Sequence, residues 1–458
     1  MHKFRKTDLR AGVAMKKNRN AAIQINGRWK IAGTRATDQS ITRRQRTLST
    51  ANLPRPLSIA GSKMDFRPGK RNCVPSMIFK NGRLIFPNGV RDGLDLVAEN
   101  GMITAIRAQS PAMGETIVDL EGNYLAPGFI DLHVHGAMGR DTMQASTKAF
   151  RAICDYHASG GTTSLLLTTA TAPIKAIVKV VNEVRDAKSS IKQIAGVHVE
   201  GPFISRAKPG AQRASLIRKP TRRMYKPLLE HSDVIKRMTF APELPGAIAL
   251  IDELRKHNIS ASGGHSDAWE DDARTAFEHG MRSVTHTFNC MSSTRRRGID
   301  RVAGLLEFAM SEPEIICELI ADGHHVSPTL MKMLYRAKGV RGICLVTDAT
   351  AGAGLPDGSK FSLYGTKCVT EAGVCLLADR SALAGSASRM IDLVRTMVTK
   401  VGVPLHEAVA MATDTPAFVI GLTSKGQFKI GGDADLVVIS PELEILRTFV
   451  AGEEVFRR

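Results

Sequence analysis

The hexapeptide DLHVHG, residues 131–136, follows the apolar stretch LAPGFI and places His133 and His135 on either side of Val134. Side chains alternate between the two faces of a β-strand, so both imidazoles would project from the same face. Neutral imidazole is a common ligand for zinc and iron, which makes the pair a candidate metal site. An H-x-H pair also occurs on ordinary surface strands, so other residues of the chain are needed to decide whether this pair binds a metal ion.

Size and composition indicate a globular protein. The chain has 458 residues, 43% of them hydrophobic, which allows one large domain and a smaller one. No apolar run approaches the roughly 18 residues of a membrane-spanning helix, so we expect no membrane contact. The seven cysteines form no C-x-x-C pair and no disulfide framework, which favours a reducing compartment and a cytoplasmic location.

The net charge of +19 comes mainly from the N-terminal region. Residues 1–72 hold 18 Lys/Arg and 3 Asp, and the remainder of the chain carries only +4. We expect residues 1–76 to be a disordered basic leader or the product of an early start codon, with Met64 and Met77 as later starts. A nucleic-acid-binding arm and a transit peptide are alternatives. A secretory signal is not expected, because a compact apolar segment is missing.

The two ends of the remaining chain share a β-rich pattern. Residues 77–127 and 427–458 both contain short apolar runs separated by turn signals such as N-G and E-N-G. We therefore predict one small β-sheet domain that is built from both segments. The region between them, 128–426, alternates strand and helix patterns.

Eight strand-like segments in this central region predict an α/β fold of the TIM type, a (β/α)8 barrel. Helix-like segments such as 172–188 and 267–280 lie between them. The predicted strands are 129–135, 162–168, 194–200, 237–243, 259–265, 282–288, 315–323 and 342–348.

Polar side chains stand at nearly every predicted strand end, and in a TIM barrel these ends converge on the active site. Each one alone has an ordinary structural explanation, such as a helix cap or a hydrogen-bonded core histidine. The same explanations become less plausible for polar residues at nearly every strand end of one barrel. The residues are His133, His135, Thr168, Thr169, His198, Glu200, Glu243, His265, His286, Asp322, His325 and Asp348.

The order and spacing of several motifs resemble the N-acetylglucosamine-6-phosphate deacetylases, a branch of the amidohydrolase superfamily. The motifs are GFIDLHVHG, GVHVEGPFIS, TFAPE, GGHSDA, THTFNCM, IADGHHV, LVTDATAGAG and LAGSASRM. The resemblance runs from about residue 77 to the C-terminus. It implies a barrel with a small β-sandwich, usually assembled as a homodimer.

The resemblance also implies a metal centre. It assigns a divalent metal ion, zinc or iron, to Glu200, His265 and His286. Family members that keep H-x-H can hold a second ion, so His133 and His135 allow one or two per subunit. A lysine at the end of strand four is missing, so Glu200 would bridge the two ions instead of a carbamylated lysine.

Asp348 is the general base that the resemblance implies. It would take a proton from the attacking water and deliver a proton to the departing amine, because an amide anion is a very poor leaving group. A helix N-cap within TDAT is the structural alternative for Asp348. His198 is expected to support the ligands without binding the metal.

The substrate-contacting positions depart from the family pattern. Gln212 stands where the family has a sugar-contacting histidine, and Arg297 falls on the phosphate-contacting arginine within RRRGID, where the usual P-G is missing. The arginine run could bind phosphate or be a solvated loop. The resemblance further implies substrate contacts from Asn289 and Cys290, and from His325, which would act across a dimer.

The sequence therefore predicts a metal-dependent deacetylase of N-acetylglucosamine 6-phosphate, a small-molecule amino-sugar phosphate. Alternatives are a deacetylase of a galacto-configured or unphosphorylated sugar and an N-acyl-amino-acid hydrolase. A nucleic-acid-binding protein that uses the basic leader is the non-enzymatic alternative. It is disfavoured, because a barrel that had lost its activity would be expected to lose these ligands.

Overall fold

A computed structural model describes residues 76–458 and, ahead of them, two short antiparallel strands, Ile23–Ile25 and Arg28–Lys30. The predicted basic leader, 1–76, otherwise lies outside the described residues. Eight parallel strands form the central sheet, named here β1 to β8. They are β1, Phe129–Val134; β2, Thr162–Thr169; β3, Ile194–Glu200; β4, Ile235–Phe240; β5, Ser260–Gly263; β6, Ser283–Val284; β7, Ile316–Leu319; and β8, Ile343–Leu345.

Helices connect successive barrel strands and continue after β8. They are α1, Thr147–Ala158; α2, Ile174–Ala187; α3, Arg222–Leu229; α4, Ala247–Lys256; α5, Glu270–His279; α6, Leu305–Ser311; α7, Pro328–Lys338; α8, Met390–Thr396; α9, Leu405–Ala412; and α10, Asp414–Val419. Within the described part of the chain, none of the helices is long and apolar enough to cross a membrane.

The parallel sheet closes on itself between its first and last strands. Its strands pair in chain order from β1 to β8. Val134 forms a parallel bridge with Ala349, and the Asp348 N–H donates to the His133 carbonyl at 2.9 Å. These contacts join the two ends of the sheet, so the predicted (β/α)8 barrel is confirmed.

The strand positions follow the prediction closely, and most strands are shorter than predicted. β4 begins two residues before the predicted segment 237–243, and β6 keeps only two residues of 282–288. The backbone leaves the strand conformation early because His286 has a φ of 31°, in the left-handed region. Sequence alternation does not reveal such a turn.

A β-sandwich is built from both ends of the described chain, as predicted. One sheet has the order Glu453–Arg457, Ile445–Val450, Leu436–Ile439, Tyr124–Pro127, Arg83–Phe86 and Gly89–Arg91. The other has the order Met102–Ala108, Leu94–Glu99, Met77–Lys80 and Thr116–Asp119. The boundaries at residues 127 and 427 remain predictions.

Apolar side chains from both chain ends fill the space between the sandwich sheets. Phe79 and Phe449 are fully buried and meet edge to face, with 5.1 Å between ring centroids. Leu125 pairs with Val438 across the antiparallel ladder. The last strands of the chain therefore complete a core that the first strands begin.

An additional antiparallel sheet follows β8, within the segment predicted as barrel. Its strands are Lys360–Leu363, Thr366–Glu371, Val374–Leu377 and Leu383–Ser386. It is anchored beside the barrel top, where the Ser386 N–H donates to the Asp348 carbonyl at 2.9 Å. Shorter hairpins pair Gly136–Ala137 with Arg140–Asp141 and Arg295–Arg297 with Asp300–Val302.

The sandwich core provides a test of this arrangement. Phe79→Ala and Phe449→Ala should each lower the free energy of unfolding by about 3–5 kcal/mol, because each leaves a cavity in a packed core. The double variant should lose about 0.5–1.5 kcal/mol less than the sum of the two, because the rings contact each other. Urea denaturation measures these values. Ile117→Ala, on an exposed side chain of the same sandwich, is the control, and full additivity would contradict the contact.

Candidate metal centre and cavity

The candidate ligands stand at the C-terminal ends of the barrel strands or shortly after them. His133 and Glu200 lie within β1 and β3, and His265, His286 and Asp348 follow β5, β6 and β8. These last three residues have φ values of 46°, 31° and 49°, a conformation that non-glycine residues rarely adopt. The strand ends therefore turn sharply to aim these side chains into the barrel mouth.

Two groups of buried donors share Glu200. One contains His133, His135 and Glu200, and the other contains Glu200, His265 and His286. The Nε2 atoms of His265 and His286 each lie 3.2 Å from Glu200 Oε1. The Nε2 atoms of His133 and His135 lie 3.4 and 3.2 Å from the same carboxylate. The chain thus directs four imidazoles at one carboxylate.

The opposite ring nitrogens show which atoms are available as ligands. Nδ1 of His265 faces the Lys208 carbonyl at 2.9 Å, and Nδ1 of His135 faces the Thr168 carbonyl at 3.2 Å. Nδ1 of His286 faces the Asn289 carbonyl at 3.2 Å. A carbonyl only accepts hydrogen bonds, so each Nδ1 donates its proton and each Nε2 is left with a free lone pair.

The electrostatics of the site favour positive charge. Burial alone would lower the pKa of His133, but the Asp348 and Glu200 carboxylates outweigh it and raise that pKa well above its usual value. Burial would raise the pKa of Glu200, yet His133 and hydrogen bonds from neighbouring imidazoles hold it well below its usual range. A divalent cation can supply this charge in place of ring protons.

The spacing of the donors fits a metal ion. The Nε2 atoms of His265 and His286 are 3.0 Å apart, and those of His133 and His135 are 3.2 Å apart. Two ligands bound tetrahedrally at zinc distances are separated by roughly 3.4 Å. Imidazole and carboxylate are also the donor types that zinc and iron accept. Both groups therefore fit a divalent cation.

A cavity of about 270 Å³ opens above these donors. This volume lies near the lower end of the range for small-molecule sites. Asp348 Oδ1 lies 3.4 Å from His135 Nε2 and 3.5 Å from His133 Nε2, so the carboxylate stands beside the candidate metal positions. Other lining residues are Gln212, Asn289, Cys290, His325, Thr350, Leu363 and Tyr364.

Gln212 contacts the metal-ligand set directly. Its Nε2 donates to Glu200 Oε2 at 2.6 Å, and its Oε1 accepts from the Thr171 N–H at 2.8 Å. Both ends of the amide are used, so Gln212 braces the carboxylate. Neighbouring Gly210 allows a close approach, because a Cβ there would lie 2.6 Å from Cys290 Sγ.

His325 reaches the cavity with the support of Asp322. Its Nδ1 donates to Asp322 Oδ2 at 2.7 Å, and Asp322 Oδ1 accepts the backbone N–H groups of His324 and His325. Burial opposes the charge, but Asp322 prevails and raises the pKa of His325. Both residues were predicted at this strand end.

Arg297 does not line this cavity. Its guanidinium contacts Asp271 at 3.1 Å, and Arg295 contacts Asp267 at 2.5 Å. Arg295 also stacks over Trp269, 4.0 Å from the ring centroid. The arginine run therefore forms one strand of a hairpin outside the cavity of its own chain. Its partners Asp271, Asp267 and Trp269 were not predicted from the sequence.

His198 lies beside the ligands without facing Glu200. Its Nε2 lies 2.8 Å from the Thr239 hydroxyl and its Nδ1 lies 3.4 Å from the Thr168 hydroxyl. Burial, followed by the nearby charge of His133, keeps its pKa well below the usual value. Glu243 contacts Ser266 and Asp267, so it supports the loop after β5.

Sequence reasoning missed three residues near the centre. Tyr364 extends from the additional sheet, and its hydroxyl contacts His135 Nδ1. Glu318 and Arg237 form a fully buried ion pair inside the barrel, at 2.9 Å. The single acid in the apolar run IICELIA was an available signal for Glu318. Alternating apolar and polar residues, separated by Y-G and A-G turns, were an available signal for the additional sheet.

Comparisons with known proteins agree with this architecture. The amidohydrolase family model matches residues 124–455. N-acetylglucosamine-6-phosphate deacetylase of Lysinibacillus sphaericus is 34% identical over 82% of this chain and 97% of its own. N-acetylgalactosamine-6-phosphate deacetylase of Escherichia coli O157:H7 is 30% identical over 82% of this chain and 98% of its own.

A solved structure is similar over the same region. The crystal structure of N-acetylglucosamine-6-phosphate deacetylase from Pasteurella multocida superposes with a TM-score of 0.78 and 32% identity. The match covers 83% of this chain and 99% of that one. The chain therefore belongs to the amidohydrolase family and, within it, to the N-acetylglucosamine-6-phosphate deacetylase branch.

Proposed function

We propose that this protein is a metal-dependent hydrolase that removes the acetyl group from N-acetylglucosamine 6-phosphate, giving glucosamine 6-phosphate and acetate. The observation that carries the proposal is the convergence of four imidazole Nε2 atoms on Glu200, with Asp348 beside them at the base of a cavity. The activities named for the relatives at 34% and 32% identity support the substrate class.

We infer the metal positions from the two donor groups. Glu200, His265 and His286 would hold one divalent cation, zinc or iron, and His133 and His135 with Glu200 would hold a second. Such an ion lowers the pKa of water and polarises the acetamide carbonyl. Gln212 would keep Glu200 oriented, because it donates to Oε2 and leaves Oε1 toward His265 and His286.

Asp348 would move the proton in this reaction. It would accept a proton from the attacking water and later donate one to the departing amine nitrogen. The backbone on both sides holds the carboxylate in place, because the Asp348 N–H donates to His133 and its carbonyl accepts from Ser386. A fixed carboxylate needs little reorganisation during the reaction.

The other lining residues would bind the sugar. Asn289, Cys290 and His325 border the cavity, and Asp322 holds the His325 ring. Gln212 remains a candidate sugar contact through the same amide that contacts Glu200. Arg297 remains a candidate phosphate contact, although Asp271 pairs with it in this chain.

We also propose that the enzyme works as a homodimer in the cytoplasm. The six cysteines that the structure describes, Cys154, Cys290, Cys317, Cys344, Cys368 and Cys375, are free thiols, which suits a reducing compartment. The dimer rests on the family resemblance alone.

A galacto-configured substrate is the second candidate. The relative from Escherichia coli named for N-acetylgalactosamine 6-phosphate is 30% identical over 82% of this chain. Gln212 replaces the sugar-contacting histidine of the family, so it is the substitution most relevant to a change of sugar configuration. An amide hydrogen-bonds to a hydroxyl of either configuration without carrying charge.

Acetate release tests the proposed function. With Zn²⁺-loaded protein, N-acetylglucosamine 6-phosphate should be hydrolysed with a much higher kcat/KM than its galacto isomer or unphosphorylated N-acetylglucosamine. The unphosphorylated sugar lacks the charge-assisted contacts of the phosphate, and the galacto isomer presents one hydroxyl in the other configuration. Preference for the galacto isomer would support the second candidate, and no release from any of the three would contradict both.

Asp348→Asn tests the proton-transfer role. The variant should lower kcat by about 10²–10⁴-fold, the usual contribution of a general acid–base group. Its metal content should stay near that of the wild type, since the imidazoles and Glu200 are unchanged. Metal analysis and acetate release are measured on the same preparation. Loss of metal in the variant would instead make Asp348 mainly a ligand.

Arg297→Ala tests the phosphate contact. The substitution should raise KM for the phosphorylated sugar several-fold and leave kcat/KM for the plain sugar unchanged. Arg301→Ala, on the opposite strand of the same hairpin, is the matched control. Equal KM values for wild type and Arg297→Ala would identify the arginine run as a solvated hairpin.

A further inference from the structure

His133 differs from the other three candidate imidazole ligands in the partner of its Nδ1 atom. His135, His265 and His286 each face a backbone carbonyl. His133 Nδ1 instead faces a side-chain carboxylate, Glu318 Oε2, at 3.3 Å. Neither the resemblance nor the comparisons assign a role to Glu318.

Glu318 lies fully buried on β7, beneath both donor groups. Its Oε2 atom accepts from the His133 ring and also from the His286 backbone N–H at 3.0 Å. One carboxylate oxygen therefore contacts a histidine from each donor group. A shift of Glu318 would move both histidines, or leave one of them without its partner.

Arg237 fixes the orientation of Glu318. It is fully buried on β4, and its Nη2 lies 2.9 Å from Glu318 Oε1 and 2.7 Å from the Ser262 hydroxyl. Arg237 Nη2 and Glu318 Oε1 form an ion pair without hydrogen-bond geometry, and this attraction turns Oε1 toward the guanidinium and leaves Oε2 for His133. Arg237 thus determines which oxygen meets the imidazole.

Stability alone is a poor explanation for this pair. A buried ion pair can often be replaced by apolar residues without loss of stability. Among the described residues, Arg237 Nε, Arg237 Nη1 and Glu318 Oε1 are buried without a hydrogen-bond partner, which is a further cost. An arrangement this costly is better explained by what it does to His133.

We propose that Glu318 and Arg237 are positioning residues that hold His133 as a ligand through Nε2, so that binding of the second divalent cation at His133, His135 and Glu200 depends on them. The ionised carboxylate only accepts, so Nδ1 keeps the ring proton and the Nε2 lone pair faces Glu200. The inference rests on the proposed function only in treating this donor group as a metal site.

Glu318→Gln tests the proposal with little change in size. The charged guanidinium of Arg237 attracts the amide oxygen, so we expect the amide NH₂ group to face His133 Nδ1 and the His286 N–H. The ring then accepts at Nδ1 and carries its proton on Nε2, where it blocks metal binding. Zn²⁺ titration of metal-free protein by calorimetry, with metal analysis, should give two equivalents for the wild type. The variant should bind its second equivalent about 10–100-fold more weakly.

Two further variants separate positioning from general packing. Ser262→Ala removes the other partner of Arg237 without touching His133, and it should keep two equivalents. Glu318→Leu combined with Arg237→Met removes both buried charges together and should also lose the second ion while remaining folded. The proposal is overturned if the wild type binds one ion, if either folded Glu318 variant binds two with wild-type affinity, or if Ser262→Ala also loses one.

A measurement on the wild type covers the case in which neither Glu318 variant folds. Nitrogen-15 spectra of histidine-labelled, Zn²⁺-loaded protein should show a protonated Nδ1 and a metal-bound Nε2 for His133, assigned with a His133→Gln variant. Metal on Nδ1 would overturn the proposal. None of these measurements uses a substrate, so absence of acetate release would contradict the proposed function and leave this inference standing.

Discussion

The contact between one carboxylate and four imidazoles is the constraint on which the barrel mouth depends. Glu200 lies within 3.2–3.4 Å of the Nε2 atoms of His133, His135, His265 and His286. Burying so many ionisable groups is costly unless their charges and hydrogen bonds are matched. The outer partners provide this matching, because each Nδ1 donates to a carbonyl or to Glu318.

Backbone conformation also helps to position the residues of the site. His265, His286 and Asp348 all have left-handed φ values at the point where a strand ends. Such residues persist only where the surrounding structure holds them, as the barrel does here. The additional sheet contributes to this support, because Ser386 donates to the Asp348 carbonyl and Tyr364 contacts His135. The site is thus braced from the strands below and from the sheet above.

Much of this arrangement was predictable, for a simple physical reason. Period-two alternation places side chains on one face of a strand, and parallel strands in a barrel bring their ends together, so His133, His135 and Glu200 could be grouped from the sequence. The similar pattern of short strands in 77–127 and 427–458 predicted one small β-domain built from both segments, and the family resemblance implied that it is a sandwich.

The contacts that sequence reasoning missed join residues that are far apart in the chain. The alternation of side chains along a strand does not show which acid on β7 will contact which imidazole on β1. The contacts of Glu318 and Arg237 were therefore not predicted. Arg297 was aligned by motif position, but Asp271 and Trp269, which decide where its guanidinium lies, follow from the fold around α5. The position of Tyr364 beside His135 depends on how the additional sheet packs against the barrel.

The sandwich built from both chain ends has a consequence for synthesis on the ribosome. Tyr124–Pro127 pairs with Leu436–Ile439, and Phe79 packs on Phe449, so the first sheet emerges long before its partner strands. Its apolar face stays exposed to solvent until residues 436–457 have been translated. Nascent chains with such long-range contacts fold late and are prone to associate through uncovered strands. A premature stop codon between residues 127 and 436 would therefore release a product with an open hydrophobic face, which chaperones and proteases recognise.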